Sequence, residues 1–223
     1  MNVYAAIILC FIPLVTVFLL FKILVEGISV IKELIACLIG LIALIPITVL
    51  QFFAGDVFIV KGQTFFMLLV RAVILYGLIE EGIKCGTLFL FPSKEISLKH
   101  MFLYSLLAGL FLGCFESVIY IINSIQKASA RSGEVLLYMI YLRSFTSIVI
   151  HTFAAGLVGM FVYAARRKEL RFGVLAYAVA LHGIYDFFAI MPVPLNLFSY
   201  VAIVLLVVEC RIVYLRLNQS VSL

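Results

Sequence analysis

Apolar runs, each about 20 residues long, recur from one end of this chain to the other. A helix of that length crosses about 30 Å of hydrocarbon, and a helix satisfies its own backbone hydrogen bonds inside a bilayer. With 66% hydrophobic and 12% charged residues, the chain lies outside the usual composition of soluble globular proteins. The sequence therefore predicts an all-α, polytopic helical membrane protein.

The pattern predicts about seven transmembrane helices joined by short loops. None of the loops is large enough for a separate soluble domain, so we expect residues 1–223 to form a single integral membrane domain. Its site-bearing core covers about 64–191, with scaffold spans at 1–63 and 195–217. The fifth run is long enough to predict a broken or surface-lying first turn. The predicted spans are Tyr4–Leu24, Leu34–Phe53, Thr64–Phe91, Met101–Asn123, a stretch within Val135–Ala165, Phe172–Met191 and Leu195 to about Val208.

The basic residues of the loops predict how the chain is oriented. Lys and Arg concentrate in alternate loops, as in the cluster Arg166–Arg171, whereas the opposite loops carry only Lys61, Lys127 and Arg131. By the positive-inside rule the more basic loops are cytoplasmic, which predicts an N-terminus outside and a C-terminus inside. The formal net charge of +5 is therefore a topology signal, and we expect no nucleic-acid partner.

The third predicted span carries three ionisable residues close together, Glu80, Glu81 and Lys84. An ionisable group in the bilayer core costs about 2.5–3.5 kcal/mol on insertion scales, so such groups persist mainly where they pair or face a polar cavity. Lys84 follows Glu80 by four residues and Glu81 by three, so it is placed to pair with either acid. Adjacent helical residues point about 100° apart. We therefore expect one acid to face a cavity and the other to contact a neighbouring helix.

Further polar residues lie at a similar depth in three later spans: Glu116 in the fourth, His151 in the fifth, and His182 with Asp186 in the sixth. His182 and Asp186 are four residues apart, and a carboxylate that orients an imidazole recurs in catalytic and metal sites. Arg143 lies about seven or eight residues inside the outer end of its span, and we expect its side chain to snorkel to the interface. Four spans together predict one polar cluster near mid-membrane.

Taken in chain order, these segments resemble the PrsW family of intramembrane proteases, which is distantly similar to the CAAX prenyl proteases. The resemblance implies a multi-pass protein of the bacterial cytoplasmic membrane that makes the first cut in a membrane-anchored anti-sigma factor. The matching motifs are Glu80-Glu81-x-x-Lys84, Phe115-Glu116-x-x-x-Tyr120, His151 with Gly159 eight residues on, and His182-x-x-x-Asp186. The expected catalytic residues are Glu80, Glu81, Lys84, Glu116, His151, His182 and Asp186.

Two versions of the chemistry remain open for peptide hydrolysis at such a cluster. In the first, His151 and His182 bind a divalent metal, with zinc as the candidate ion, together with a carboxylate from Glu116 or Asp186. One of the two adjacent glutamates then activates water. In the second version, a Glu and a His activate water without a metal, and the other His donates to the oxyanion. The family resemblance slightly favours the metal.

Two other functions are compatible with the same residues. Mid-membrane acids and histidines also form proton relays, as in proton- or ion-coupled transporters, but such transporters usually contain internal repeats and this sequence shows no duplication. A catalytically silent scaffold that uses the cluster for assembly is the other alternative. The sequence therefore predicts first an intramembrane endopeptidase that acts on a membrane-anchored protein within the lipid bilayer.

Overall fold

The computed structural model describes residues 2–57, 64–92, 96–126 and 133–221. Every secondary-structure element within these ranges is a helix, which confirms the all-α class. The α-helices are α1 (Val3–Cys10), α2 (Ile12–Leu24), α3 (Val30–Val57), α4 (Phe65–Arg71), α5 (Ile79–Leu88), α6 (Leu98–Gln126), α7 (Gly133–Phe145), α8 (Ser147–Ala165), α9 (Phe172–Ala189) and α10 (Phe198–Val221). A π-helix covers Ala72–Leu78 and a 3₁₀-helix covers Leu195–Leu197.

Across the described ranges, six helical segments are long and apolar enough to cross a bilayer. They are Val3–Leu24, Val30–Ala54, Leu98–Gln126, Gly133–Ala165, Phe172–Ala189 and Leu195–Gln219. These segments correspond to six of the seven predicted spans and confirm a polytopic membrane protein. The total of seven spans, the orientation of the termini and the single domain stay predictions. The orientation depended in part on Lys61, Lys127 and Arg131, which lie outside the described residues.

The third predicted span is a continuous helical segment, Phe65–Leu88, which we call the site helix; it consists of α4, the π-helix and α5. Its charged residues make it less apolar than the six segments above. The π-helical part packs tightly on α9, because a Cβ on Gly77 would clash with the carbonyl oxygen of Val179, and one on Gly183 would meet the backbone of Val73. The two glycines therefore bring the site helix and α9 into backbone contact.

Small residues also bring α6 against α8. A Cβ added to Gly109 would clash with the carbonyl oxygen of His151 and would lie 2.6 Å from the Cβ of Ala155. A Cβ on Gly113 would lie 3.0 Å from the Cα of Ile148. Such close approach is typical of small residues at helix interfaces in membranes. It places the polar residues of α6 within direct reach of those on α8.

The predicted break in the Val135–Ala165 stretch is present, but it lies well inside the stretch rather than in its first turn. Thr146 separates α7 from α8 with φ −124° and ψ −86°. Its hydroxyl donates to the carbonyl oxygen of Leu142 at 2.9 Å, a local bond of the kind that competes with regular helix. Arg143 and Ser147 lie on either side of this break, and both still reach α6.

Candidate functional site

Four helical segments bring the predicted polar residues into one cluster, in which Glu116 and Asp186 are half-buried and the others are buried. The contributions are Glu80, Glu81 and Lys84 from the site helix, Glu116 from α6, His151 from α8, and His182 and Asp186 from α9. Glu80, at 5% exposed, is the most accessible residue among the site-helix triad and the two histidines. The prediction that four spans form one polar cluster is therefore confirmed, and the chemical roles within it stay predictions.

Glu81 is the acid that contacts a neighbouring helix. Its side chain is fully buried, and Oε1 accepts a hydrogen bond from Nζ of Lys84 at 2.6 Å. The same oxygen lies 2.5 Å from Nδ1 of His182 on α9. Lys84 Nζ is also 3.7 Å from Oε2 of Glu80, so the predicted pairing of the lysine with the acids is confirmed. Glu81 thus joins the site helix to α9.

Glu80 is the acid that faces the cavity. Its Oε1 accepts a hydrogen bond from Nε2 of Gln51 at 2.7 Å. Its Oε2 is buried and has no hydrogen-bond partner among the described residues. That oxygen lies 3.5 Å from Nδ1 of His151 and 3.8 Å from Nε2 of His182. Because a buried carboxylate oxygen without a hydrogen bond is costly, this position favours a cation.

Each histidine of the cluster is held by a carboxylate on one ring nitrogen. His151 Nε2 lies 2.6 Å from Oε2 of Glu116, and His182 Nδ1 lies 2.5 Å from Glu81. The other ring nitrogens, Nδ1 of His151 and Nε2 of His182, are the two that face Glu80. A carboxylate that fixes the tautomer and orientation of a histidine ligand is a common arrangement around protein-bound metals.

The residues present fit a divalent metal at this point. One ligand atom from each of Glu80, His151 and His182 lies within 4.8 Å of the other two. Tetrahedral zinc with ligand bonds of about 2.0–2.2 Å separates neighbouring ligand atoms by roughly 3.3–3.6 Å, close to the separations between Glu80 and the rings. Three protein ligands with a fourth position open are typical of catalytic zinc. Lys84 Nζ lies 3.1 Å from Nδ1 of His151. A metal bound to this nitrogen would therefore lie next to the Lys84 ammonium.

Glu116 lies on the far side of the His151 ring from Glu80. Its Oε2 accepts hydrogen bonds from Ser147 Oγ at 2.7 Å and from Arg143 Nη2 at 2.9 Å. The structure therefore places Glu80, rather than the predicted Glu116, beside the two ring nitrogens that Glu116 and Glu81 do not engage. Glu116 occupies the orienting position behind His151, because its carboxylate already engages the opposite ring nitrogen.

The prediction that Arg143 snorkels to the interface is wrong. Its guanidinium binds Glu116, donates from Nε to Ser117 Oγ at 3.1 Å, and lies 3.9 Å from the ring centroid of Tyr120. A half-buried carboxylate and an aromatic face together hold the cation against the protein. The four-residue spacing of Arg143, Ser147 and His151 was the sequence signal for this arrangement.

Asp186 lies near His182, but it does not occupy the orienting position that the sequence suggested. Glu81 binds Nδ1 of His182, whereas Asp186 Oδ2 is 3.3 Å from Nε2, the nitrogen that also faces Glu80. Asp186 also lines the cavity beside the cluster. Two carboxylates, Glu80 and Asp186, therefore approach the same open side of His182.

A cavity of about 200 Å³ adjoins the cluster. The polar part of its lining is formed by Glu80, Glu116, His151 and Asp186 together with Gln51, Thr48, Tyr76 and Tyr120. The apolar part is formed by Leu44, Ile47, Leu112, Ile119 and Ile190. Tyr120 is 50% exposed and Ile190 is 63% exposed, so the cavity reaches the outer surface of the helix bundle.

Gln51 is the site residue that the sequence analysis missed, because it lies in a span interpreted as scaffold. It is a neutral amide near the end of an apolar run, and its spacing relates it to no other polar residue. No signal in the sequence alone separates it from an ordinary interfacial glutamine.

Comparison with known families found a family model that matches most of the chain. The model of a family described as PrsW family intramembrane metalloprotease matches residues 31–210, a range that includes all of the site residues above. No curated protein matches the chain.

Proposed function

Because the chain belongs to the PrsW family of intramembrane metalloproteases, we propose that Glu80, His151 and His182 hold a divalent metal, with zinc as the candidate, for peptide hydrolysis. The observation that carries this proposal is the buried Oε2 of Glu80, which faces one ring nitrogen of each histidine. The carboxylates of Glu116 and Glu81 hold the opposite nitrogens. Two oriented imidazoles and one carboxylate oxygen without a hydrogen bond form a donor set that suits a catalytic metal.

The remaining residues support this donor set. When bound, a divalent ion polarises the scissile carbonyl and acidifies water. Glu116 and Glu81 would keep the rings in the tautomers whose opposite nitrogens can bind a metal, and Lys84 balances the charge of Glu81. Asp186 lies in the cavity beside His182, so it is the carboxylate placed to take a proton from water and return it to the leaving amine.

One contact favours the metal-free version as the second candidate mechanism. Lys84 Nζ lies 3.1 Å from Nδ1 of His151, and it brings a positive charge to the position where a metal would bind that nitrogen. In this version Glu80 and one histidine activate water directly, and the other histidine donates to the oxyanion. Metal content separates the two mechanisms, because only the first requires a bound ion.

The substrate that we propose is a membrane-anchored protein, and by family resemblance an anti-sigma factor of the bacterial cytoplasmic membrane that receives its first cut here. The shape of the cavity supports a membrane-embedded segment. Ile119 and Ile190 line it and are 37% and 63% exposed at the outer surface of the bundle. An apolar segment in the bilayer can therefore reach the polar cluster without crossing the hydrophilic loops.

Identification of new protein termini in a bacterial membrane fraction tests the protease activity. We expect expression of the wild type to generate new termini in single-span membrane proteins, and Glu80→Gln to abolish them. Glu26→Gln is the matched control, because Glu26 is an exposed glutamate outside the cluster. Equal products from the wild type and Glu80→Gln would contradict the proposed role of the cluster. Products confined to proteins other than anti-sigma factors would contradict only the substrate.

A further inference from the structure

We propose that Gln51, on α3, is a positioning residue that holds the Glu80 carboxylate so that Oε2 faces the two histidines. The inference rests on the proposed metal-binding role of Glu80. Gln51 lines the cavity, and it comes from a span in which no ionisable side chain reaches the cluster among the described residues. With Gln51, five helical segments contribute side chains to the site instead of four.

Both hydrogens of the Gln51 amide nitrogen are used in this arrangement. Nε2 donates to Oε1 of Glu80 at 2.7 Å and to the carbonyl oxygen of Leu75 at 3.2 Å. A primary amide nitrogen has two hydrogens to donate, so these two bonds fix the orientation of the carboxamide. The bond to Glu80 is charge-assisted and engages one carboxylate oxygen only. The other oxygen is consequently the one presented to His151 and His182.

The π-helix explains why the carbonyl of Leu75 is available to accept a hydrogen bond from Gln51. The N–H of Ile79 bonds to the carbonyl oxygen of Ile74, five residues back, rather than to that of Leu75. Leu75, which is 2% exposed, therefore loses the partner that an α-helix would give its carbonyl. Gln51 supplies a donor to this group, which matters because an unpaired backbone carbonyl is costly away from water.

The Gln51 side chain thus bonds both to the π-helical part of the site helix and to the carboxylate of Glu80. Glu80 lies two residues after the π-helix, so the local helix register and the carboxylate rotamer are fixed by the same amide. Loss of Gln51 frees Oε1 of Glu80 and allows the carboxylate to turn away from the rings. Loss of residues that orient metal ligands typically weakens metal binding by about 10–100-fold.

Zinc titration of the metal-stripped, full-length protein in detergent tests this inference. Gln51→Leu and Gln51→Met both remove the amide donors, and the unbranched methionine retains the length of the side chain if leucine disturbs folding. Gln126→Leu is the matched control, since Gln126 is exposed at the end of α6. We expect zinc binding about 10–100-fold weaker in both Gln51 variants and unchanged in Gln126→Leu. Binding of cobalt, followed by its visible absorption, reports ligand geometry independently of activity.

The outcomes separate the inference from the function on which it rests. Zinc affinity and cobalt spectra equal to wild type in a folded Gln51 variant would overturn the positioning role while leaving the metal site intact. A wild type that binds no zinc would contradict the proposed metal site, and the role of Gln51 with it. A lower melting temperature with unchanged zinc affinity would show that Gln51 acts only in packing, which also overturns the inference.

Discussion

Oε1 of Glu81 lies 2.5 Å from Nδ1 of His182 and joins the site helix to α9 inside the membrane-spanning bundle. The same oxygen accepts a hydrogen bond from Lys84, so Oε1 has two partners, whereas the buried Oε2 of Glu81 has no hydrogen-bond partner among the described residues. Its neighbour Glu80 has one oxygen bound to Gln51 and one facing two ring nitrogens. Two adjacent acids of the same type therefore lie in different surroundings, which gives the first prediction.

Single substitutions of the two acids should have unequal effects. We expect Glu80→Gln to abolish cleavage with little change in thermal stability, because a glutamine oxygen can still accept the Gln51 hydrogen bond and Lys84 lies 3.7 Å from Glu80, beyond hydrogen-bond distance. Glu81→Gln should abolish cleavage and also destabilise the fold by about 3–5 kcal/mol, because it removes the charge that pairs with Lys84. Cleavage and unfolding are measured in the same detergent. Identical losses in both variants would contradict this division.

Lys84 and Glu81 should be energetically coupled. Lys84→Met removes the ammonium that donates to the buried Glu81 carboxylate and leaves His182 as its hydrogen-bond partner in the described structure, so we expect it to be strongly destabilising. The double variant Lys84→Met with Glu81→Gln removes both charges, and its destabilisation should be less than the sum of the two single losses by about 0.5–3 kcal/mol. A double-mutant cycle of unfolding free energies measures this, and strict additivity would argue against the pair.

Arg143 should be required for activity because it binds Glu116. We expect Arg143→Leu to lower activity about 10–100-fold, because Glu116 would lose a charged partner while it orients His151. Arg143→Lys should restore only part of this activity, since an ammonium does not reproduce the fork that binds both Glu116 and Ser117. The control is Arg211→Leu at an exposed position of α10, which should keep wild-type turnover. Full activity of Arg143→Leu would show that Glu116 needs no such partner.

The contact between α6 and α8 should be sensitive to one methyl group. A Cβ on Gly109 would clash with the carbonyl oxygen of His151, so Gly109→Ala should force the helices apart and cost about 1–3 kcal/mol of stability. Activity should fall as well, because the hydrogen bond between Glu116 and His151 spans this interface. Gly82→Ala on the site helix is the comparison, since its Cβ would meet nothing within 4 Å. Equal melting temperatures for the two variants would argue against the close packing.

The ionisable part of the site could be predicted from the sequence because the bilayer makes such side chains costly. Glu80, Glu81 and Lys84 are conspicuous in an apolar span, and helical spacing correctly predicted that the two acids diverge. Gln51 could not be found in this way, because a neutral amide near the end of a span has many ordinary explanations. Its role depends on which backbone carbonyl the π-helix leaves without an α-helical partner.

The assignment of partners within the cluster also depends on packing. The depth of Arg143 was apparent from the sequence, but the direction of its side chain follows from how closely α6 approaches α8. Likewise, the spacing of His182 and Asp186 indicated a shared face, yet the rotation of α9 brings Glu81 to Nδ1 instead. The break at Thr146 depends on a local hydroxyl bond that Ser and Thr residues form only in some contexts.

Metal analysis of the purified protein tests most directly whether Glu80, His151 and His182 hold a catalytic metal. We expect about one zinc ion per chain in an active wild-type preparation and loss of both metal and cleavage in His182→Ala. His100→Ala is the control, because His100 contacts Ser97 and the carbonyl of Glu26 rather than the cluster. It should keep both metal and activity. A fully active wild type without stoichiometric metal would contradict the metal site and favour direct activation of water by Glu80.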